Sequence, residues 1–265
     1  MGSLKTWIIA GALAASGSAG AADLLPPAPV LDQAAPAPIT ELGSGWYIRG
    51  DIGFTDYDKP EEVRGFSAGR PYDKLEMKSA FSAGGGFGYK LTNWLRADVT
   101  ADYRFGSDFE AISSGTNYVD GYSRDWGRFR AHTLMFNAYL DLGTYFGFTP
   151  YVGAGVGVAQ TSFSPFNAQV VCKTPTCVAA YGIVPAVDNF GTQRRYNLAY
   201  AFMAGTAFDL GQGFLVDLGY RYLNVGEAET KRNSVFNGTS VDYFGAKIKA
   251  LDAHEVRLGV RYMID

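Results

Sequence analysis

The sequence predicts an all-β protein, an eight-stranded antiparallel up-and-down transmembrane β-barrel, and three observations carry that expectation. Eight segments alternate apolar and polar residues with the two-residue period of a strand. Their connections alternate between short and long, as in a barrel with tight turns at one end and loops at the other. The polarity is inverted relative to a soluble sheet: the continuous face is apolar and aromatic, and the opposite face collects charges and glycines.

The chain of 265 residues is 47% hydrophobic, 15% aromatic and 18% charged, which suits one ordered domain and is too apolar for a disordered chain. A formal net charge of −3 leaves no basic surplus to follow a phosphate backbone, so nucleic acid is not an expected partner. Residues 1–21 read as a secretory signal: Lys5, the apolar stretch TWIIAGALAA, then small residues ending in an A-x-A site at Ala19 to Ala21. The apolar stretch is far short of the roughly 20 residues of a membrane helix. Residues 22–44, rich in proline and alanine, read as an extended periplasmic linker, and residues 45–265 as the barrel.

The segments follow in order. WYIRGDIGF (46–54) sets Trp46, Ile48, Ile52 and Phe54 against Arg49 and Asp51. SAFSAGGGFGYKL (79–91) sets Phe81, Phe87, Tyr89 and Leu91 against Gly84, Gly86, Gly88 and Lys90. WLRADVTADYRF (94–105) has the densest charge, with Arg96, Asp98, Asp102 and Arg104 between apolar residues. HTLMFNAYLDL (132–142) and YVGAGVGVAQT (151–161) carry leucines, Phe136 and valines opposite Asp141 and Gly153, Gly155 and Gly157. NLAYAFMAGTAFDL (197–210) and FLVDLGYRY (214–222) oppose Tyr200, Phe202, Leu218 and Tyr220 to Asp209, Asp217 and Arg221. HEVRLGVRYMI (254–264) opposes Val256, Leu258, Val260, Tyr262 and Ile264 to Glu255, Arg257 and Arg261. The short connections are TN, GTYFGFTP and GQG; an extra hairpin inside a long loop would raise the count to ten strands.

Eight strands leave an interior only just wide enough for side chains, so an aromatic lining from every strand would overfill it, whereas glycines and paired charges fit. The apolar face therefore belongs in lipid, where a single arginine near the midplane would cost about 2–4 kcal/mol. Aromatics beside the short turns, among them Trp46, Tyr89, Trp94, Tyr145, Phe146, Phe148, Phe214 and Tyr262, would form a periplasmic girdle. The acids and bases of the lumen face are expected to pair and close the bore, since an unpaired internal charge is costly. A narrow porin passing small solutes is the alternative, because the glycine runs leave some space.

Long loops, near 56–78, 106–131, 162–196 and 224–253, are where binding most often sits on a rigid scaffold. The third mixes Cys172 and Cys177 with Val, Ile, Tyr and Phe. In an exported chain the two cysteines are expected to close a local disulfide rather than hold a metal. Its apolar residues would be either a rigid binding patch, or a fold over the barrel mouth or an extension of the strands beyond the membrane. The second loop, NYVDGYSRDWGRFR, has the aromatic and arginine mixture common at interfaces. No cofactor is expected and the chain does not read as an enzyme: a lipid A deacylase at the outer rim would show His-x-Ser, where this sequence has HTL and HEV. NGT at 237–239 reads as a turn rather than a glycosylation site.

The last segment, RLGVRYMI, resembles the C-terminal insertion signal of outer-membrane barrels, with Gly259, Tyr262 and Ile264 at the family's spacing and Ile264 in place of the usual aromatic. Together with GWYIRGDIGF and the eight-segment plan, it makes residues 45–265 resemble the small outer-membrane β-barrel proteins of the OmpA/OmpX/Opa-like superfamily, in particular the immunogenic outer-membrane proteins of Gram-negative bacteria. The resemblance implies the bacterial outer membrane with its lipopolysaccharide, assembly by the insertion machinery, and surface loops that engage an extracellular ligand or the immune system. It brings no catalytic residues.

Overall fold

The computed structural model describes residues 45–59, 62–64, 72–114, 121–181, 187–229, 233–236, 239–242, 247–249 and 251–264. The expected signal peptide, the linker and the first two residues of NGT lie outside the described residues. In chain order the strands are β1 (Trp46–Tyr57), β2 (Glu62–Arg64), β3 (Lys74–Met77), β4 (Ala80–Lys90), β5 (Leu95–Ser114), β6 (Gly121–Asp141) and β7 (Phe148–Cys172). A short helix α1 (Pro175–Tyr181) precedes β8 (Val187–Phe190), β9 (Gln193–Gly211), β10 (Phe214–Asn224), β11 (Ala228–Glu229), β12 (Asn233–Phe236), β13 (Thr239–Asp242), β14 (Lys247–Lys249) and β15 (Asp252–Ile264).

Eight of these close a ring in the order β7-β6-β5-β4-β1-β15-β10-β9, with β9 pairing back to β7 and each pairing antiparallel. Closure leaves no free edge in the lipid, where unpaired backbone groups would each cost several kcal/mol. The additional short strands stay outside the ring: β8, β12 and β13 extend the sheet from β7, β3 pairs β5, and β11, β14 and β2 form a small separate sheet.

Three tight connections hold one end. Thr92 Oγ1 accepts from the amides of Trp94 and Leu95 at 3.2 and 2.9 Å. Gly147 at φ 85° lets Tyr145 and Phe148 pair across the second turn, and Gly213 at φ 80° closes the third. Beside them stand expected girdle residues in contact: exposed Trp46 edge-on to half-buried Tyr89 at 5.1 Å, and exposed Phe214 against Tyr262 at 4.7 Å.

The strands run much further than the alternating segments indicate at the other end. β5 continues to Ser114, β6 begins at Gly121 and β7 reaches Cys172, so most of the second expected loop and the start of the third are sheet. Among the described apolar residues of that third loop, Val187 is exposed, while Phe163, Phe166, Ala168 and Phe190 are buried. They pack with Tyr57, Phe109, Phe129, Leu223, Val225, Ile248 and Leu251 into a hydrophobic core.

Candidate functional site

The pleat sends alternate residues to opposite faces, and the ring places the charged face inside. Tyr47, Asp51, Arg96, Asp98, Asp102, Arg104, Asp217, Arg221, Glu255 and Arg261 are all buried, with Arg49 and Arg257 nearly so, while Ile52, Phe81, Leu134, Phe202 and Leu258 on the other face are exposed. Lys90 and Asp209, counted with the polar face, lie outside the network. Asp209 is exposed at the β9–β10 turn, where its Oδ1 accepts from the Gly211 amide at 2.7 Å.

Inside, acids and bases alternate along a single chain of ion pairs. Asp98 meets Arg49 at 2.9 Å, Arg49 meets Asp51 at 2.7 Å, and Asp51 meets Arg257 at 3.3 Å. Arg257 also meets Asp102 at 2.7 Å, Asp102 meets Arg221 at 2.9 Å, and Arg221 and Arg104 both hold Glu255 at 2.5 Å. Neutral groups fill the remaining valences: Asn137 donates to Asp98 at 2.7 Å, Thr55 to Glu255 at 3.1 Å, and Arg104 donates to Thr133 at 3.1 Å. Burying so many charges is tolerable only when nearly every one has partners on two sides.

Glycine makes the room. A Cβ at Gly84 would strike the Asp102 carboxylate, one at Gly155 the Asn137 side chain, and one at Gly259 the Asp51 carboxylate. Gly259, singled out as part of an insertion signal, thus also has a packing role that its sequence context conceals. Tyr262 and Ile264 of the same signal face outward and are exposed.

Toward the tight turns the network ends in two arginines on tyrosine faces. Arg96 pairs with Asp141 at 3.0 Å and sits 4.0 Å from the Tyr139 ring centroid and 4.7 Å from that of Tyr151. Arg261 pairs with Asp217 at 3.1 Å and lies over Tyr47. Between these layers an internal cavity of about 20 Å³, bordered by Arg49, Tyr151, Asp217 and Arg257, has room for about one water.

Toward the long connections the lumen changes character. Tyr57 follows Thr55, Leu223 follows Arg221 and Ala253 precedes Glu255, so the lining turns apolar immediately above the ion pairs. Phe163 touches Phe109 at 5.6 Å and Phe129 at 5.4 Å, and Phe166 touches Phe190 at 5.9 Å between ring centroids. A fold over the barrel mouth is one of the readings the sequence offers for the third loop, and Phe163, Phe166 and Phe190 are the residues of that loop that make it.

Outside the plug, the outward face of β3, β5 and β6 is a ladder of charge. Arg124 holds Glu110 at 2.8 Å and lies over Trp126, Arg128 holds Asp108 at 3.2 Å, and Lys74 holds Glu76 at 3.0 Å. A shallow groove of about 240 Å³ runs among Glu76, Glu110, Arg124 and Trp126. Cys172 and Cys177 form a disulfide that ties the end of β7 to α1. His254 bonds Asp58 at 3.0 Å and the Tyr220 hydroxyl at 2.5 Å on the outer face, while its neighbour Glu255 points inward. Among the described residues no serine, threonine or cysteine bonds either histidine, and none group as a metal site.

Comparison with known proteins adds the following. The family model described as outer membrane protein beta-barrel domain matches residues 10–263. An uncharacterized protein of Brucella abortus is 33% identical over 96% of this chain and 96% of its own. A putative adhesin of Rickettsia prowazekii is 26% identical over 84% of this chain and 89% of its own. Among solved structures, the outer membrane protein OprG of Pseudomonas aeruginosa aligns with 83% of this chain and 97% of its own at 16% identity and a TM-score of 0.48.

Proposed function

Because the chain belongs to the outer membrane protein β-barrel domain family and resides in the bacterial outer membrane, we propose that it is a closed barrel whose extracellular sheet is an adhesin-like binding surface. The observation that carries this reading is the division of the lumen. A paired ionic layer and an aromatic core line it in succession, and the internal cavity beside Arg49 and Asp217 is about 20 Å³, too small to pass a hydrated solute, which supports a closed bore. Function then falls to what projects outward, and the β3–β5–β6 face, with Trp126 between Glu110 and Arg124, has the aromatic and arginine character of a binding surface. The rickettsial relative named as an adhesin supports the same reading.

Two measurements test it together. Refolded protein in a planar bilayer is expected to be electrically silent beside an open porin control. Cells displaying the protein are expected to bind host-cell surface material, and Trp126→Ala is expected to lower that binding about tenfold or more while leaving surface display intact. Steady conductance would assign solute diffusion instead, and unchanged adhesion by the Trp126 variant would remove this face from the reading.

A further inference from the structure

On the lipid-facing side of β4, β5, β6, β7 and β9 a groove of about 690 Å³ opens near the outer rim. Its floor consists of small or aliphatic residues, Ala83, Ala101, Leu134 and Val158, where neighbouring stretches of the same face carry Phe81, Phe87 and Phe136. Above the floor one cross-strand row runs Tyr103, His132, Gln160 and Tyr196, in direct register from β5 to β9. Gln160 Nε2 donates to the Tyr196 hydroxyl at 2.6 Å, so the row offers hydrogen-bonding groups just above an apolar floor.

One step further out the register aligns Arg130 with Ser162 and Ser162 with Arg194. These two arginines differ from those around them. Arg124 and Arg128 are held by Glu110 and Asp108, and Arg195 by Glu227 and Glu229, whereas neither Arg130 nor Arg194 has an ion pair among the described residues. On the opposite side of the barrel Asp56 and Asp58 are exposed, with Lys59 rather than an arginine beside them. Two guanidinium groups without an ion pair among the described residues therefore flank one strand directly over the groove.

Height fixes which layer of the membrane this is. From Leu142 up β6 to His132 is ten residues, about 34 Å of strand, which at a tilt of about 40° rises about 26 Å and matches an apolar band about 25 Å tall. His132 thus stands at the outer hydrocarbon boundary, with Arg130 and Arg194 in the headgroup layer of the outer leaflet. We infer that this groove seats one phosphorylated, acylated glycolipid of the outer leaflet, its acyl chain lying over Ala83 and Ala101 and its phosphate between Arg130 and Arg194. The order from apolar floor to neutral hydrogen-bonding row to unpaired guanidinium groups matches the order of chain, sugar and phosphate in such a lipid.

The full mature protein, refolded into phosphatidylcholine nanodiscs, provides the test, with bis-phosphorylated lipid A as probe and binding read by native mass spectrometry. Wild type is expected to retain one lipid A. The double variant Arg130→Gln with Arg194→Gln should bind at least tenfold more weakly, the matching double lysine variant should keep most of the affinity, and Arg124→Gln should bind as wild type. Ala101→Phe, which fills the floor without touching charge, should also weaken binding, and each variant is checked for the heat-modifiable folded form. Equal binding by the double glutamine variant, or equal retention of dephosphorylated lipid A, would overturn the proposal. Competition by millimolar inorganic phosphate would likewise overturn it, since it would mean an anion site indifferent to the acyl chain.

Discussion

Arg221 touches both Asp102 and Glu255, so its removal leaves two buried carboxylates each short of a partner. Arg221→Met is expected to cost about 3–5 kcal/mol, the range for breaking a buried pair from one side. Arg96→Leu strands only Asp141, which sits near the rim, and is expected to cost roughly 1.5–3 kcal/mol, as for a hydrogen bond to a charged group. Urea titration of the folded, heat-modifiable species reads both, and negligible losses would mean that the ionic layer does not hold the barrel together. At this scale the sequence was informative about side and silent about partner. A period of two assigns Arg49, Asp51, Arg96, Asp98 and their fellows to one face because the pleat leaves no other choice. It does not say that Arg257 meets Asp102, since that pair is brought together by ring closure across 155 positions of chain. Nor does parity separate Asp209, caught in a turn, from Asp217, held by Arg261.

Why the strands outrun the alternating segments is visible in three elements. In β5 the inward residues are even-numbered up to Arg104 and odd-numbered from Ser107, because the register with β6 slips between them. In β7 the odd-numbered inward series ends at Phe163 and an even-numbered one starts at Phe166, beyond another irregularity opposite Gly127 and Phe129. Each bulge inserts unpaired residues and flips the faces, so a simple alternation stops there although the strand continues. The polarity reverses at the same place: below the bulges charge points in, above them Phe109, Phe129 and Phe166 point in and Glu110, Arg124 and Arg128 point out. One buried acid breaks the rule above the bulges. Asp125 accepts from Ser123 at 2.6 Å and from the Tyr72 hydroxyl at 2.6 Å, has no ion pair among the described residues, and burial holds its carboxyl above the usual range. A group whose pKa is raised by folding adds stability below its unfolded pKa and loses it as pH rises through the folded value. The extracellular sheet is therefore expected to open more readily at pH 8 than at pH 4. Hydrogen exchange of the β6 amides from 121 to 129, corrected for intrinsic rates, should show greater protection in acid, and Asp125→Asn should flatten the profile. Protection that grows with pH would contradict the assignment.

The whole molecule joins two kinds of sheet end to end, inverted in lipid and conventional in water, and on the closed-barrel reading the junction would make two independent seals. The apolar plug lies above the bulges, where large-to-small changes behave as in a soluble core. Phe163→Ala, which removes contacts to Phe109, Phe129 and Phe166, is expected to cost about 3–5 kcal/mol. That cost falls on the part beyond the bulges, so the ring should still insert and, if the alternating ion pairs from Asp98 to Arg104 close the bore beneath it as proposed, the bilayer should stay silent. Truncating Arg257 and Arg49 to alanine alone should be silent too, sealed by the aromatics above. Only the combination of these changes is expected to give steady single-channel currents, with the selectivity for cations that the remaining carboxylates impose. Conductance from the Phe163 variant alone would mean that the ionic layer is leaky to small ions and that the plug is the barrier. Conductance from the arginine variants alone would reverse the assignment, leaving the ionic layer as the one seal and the aromatic core as scaffolding for the extracellular sheet.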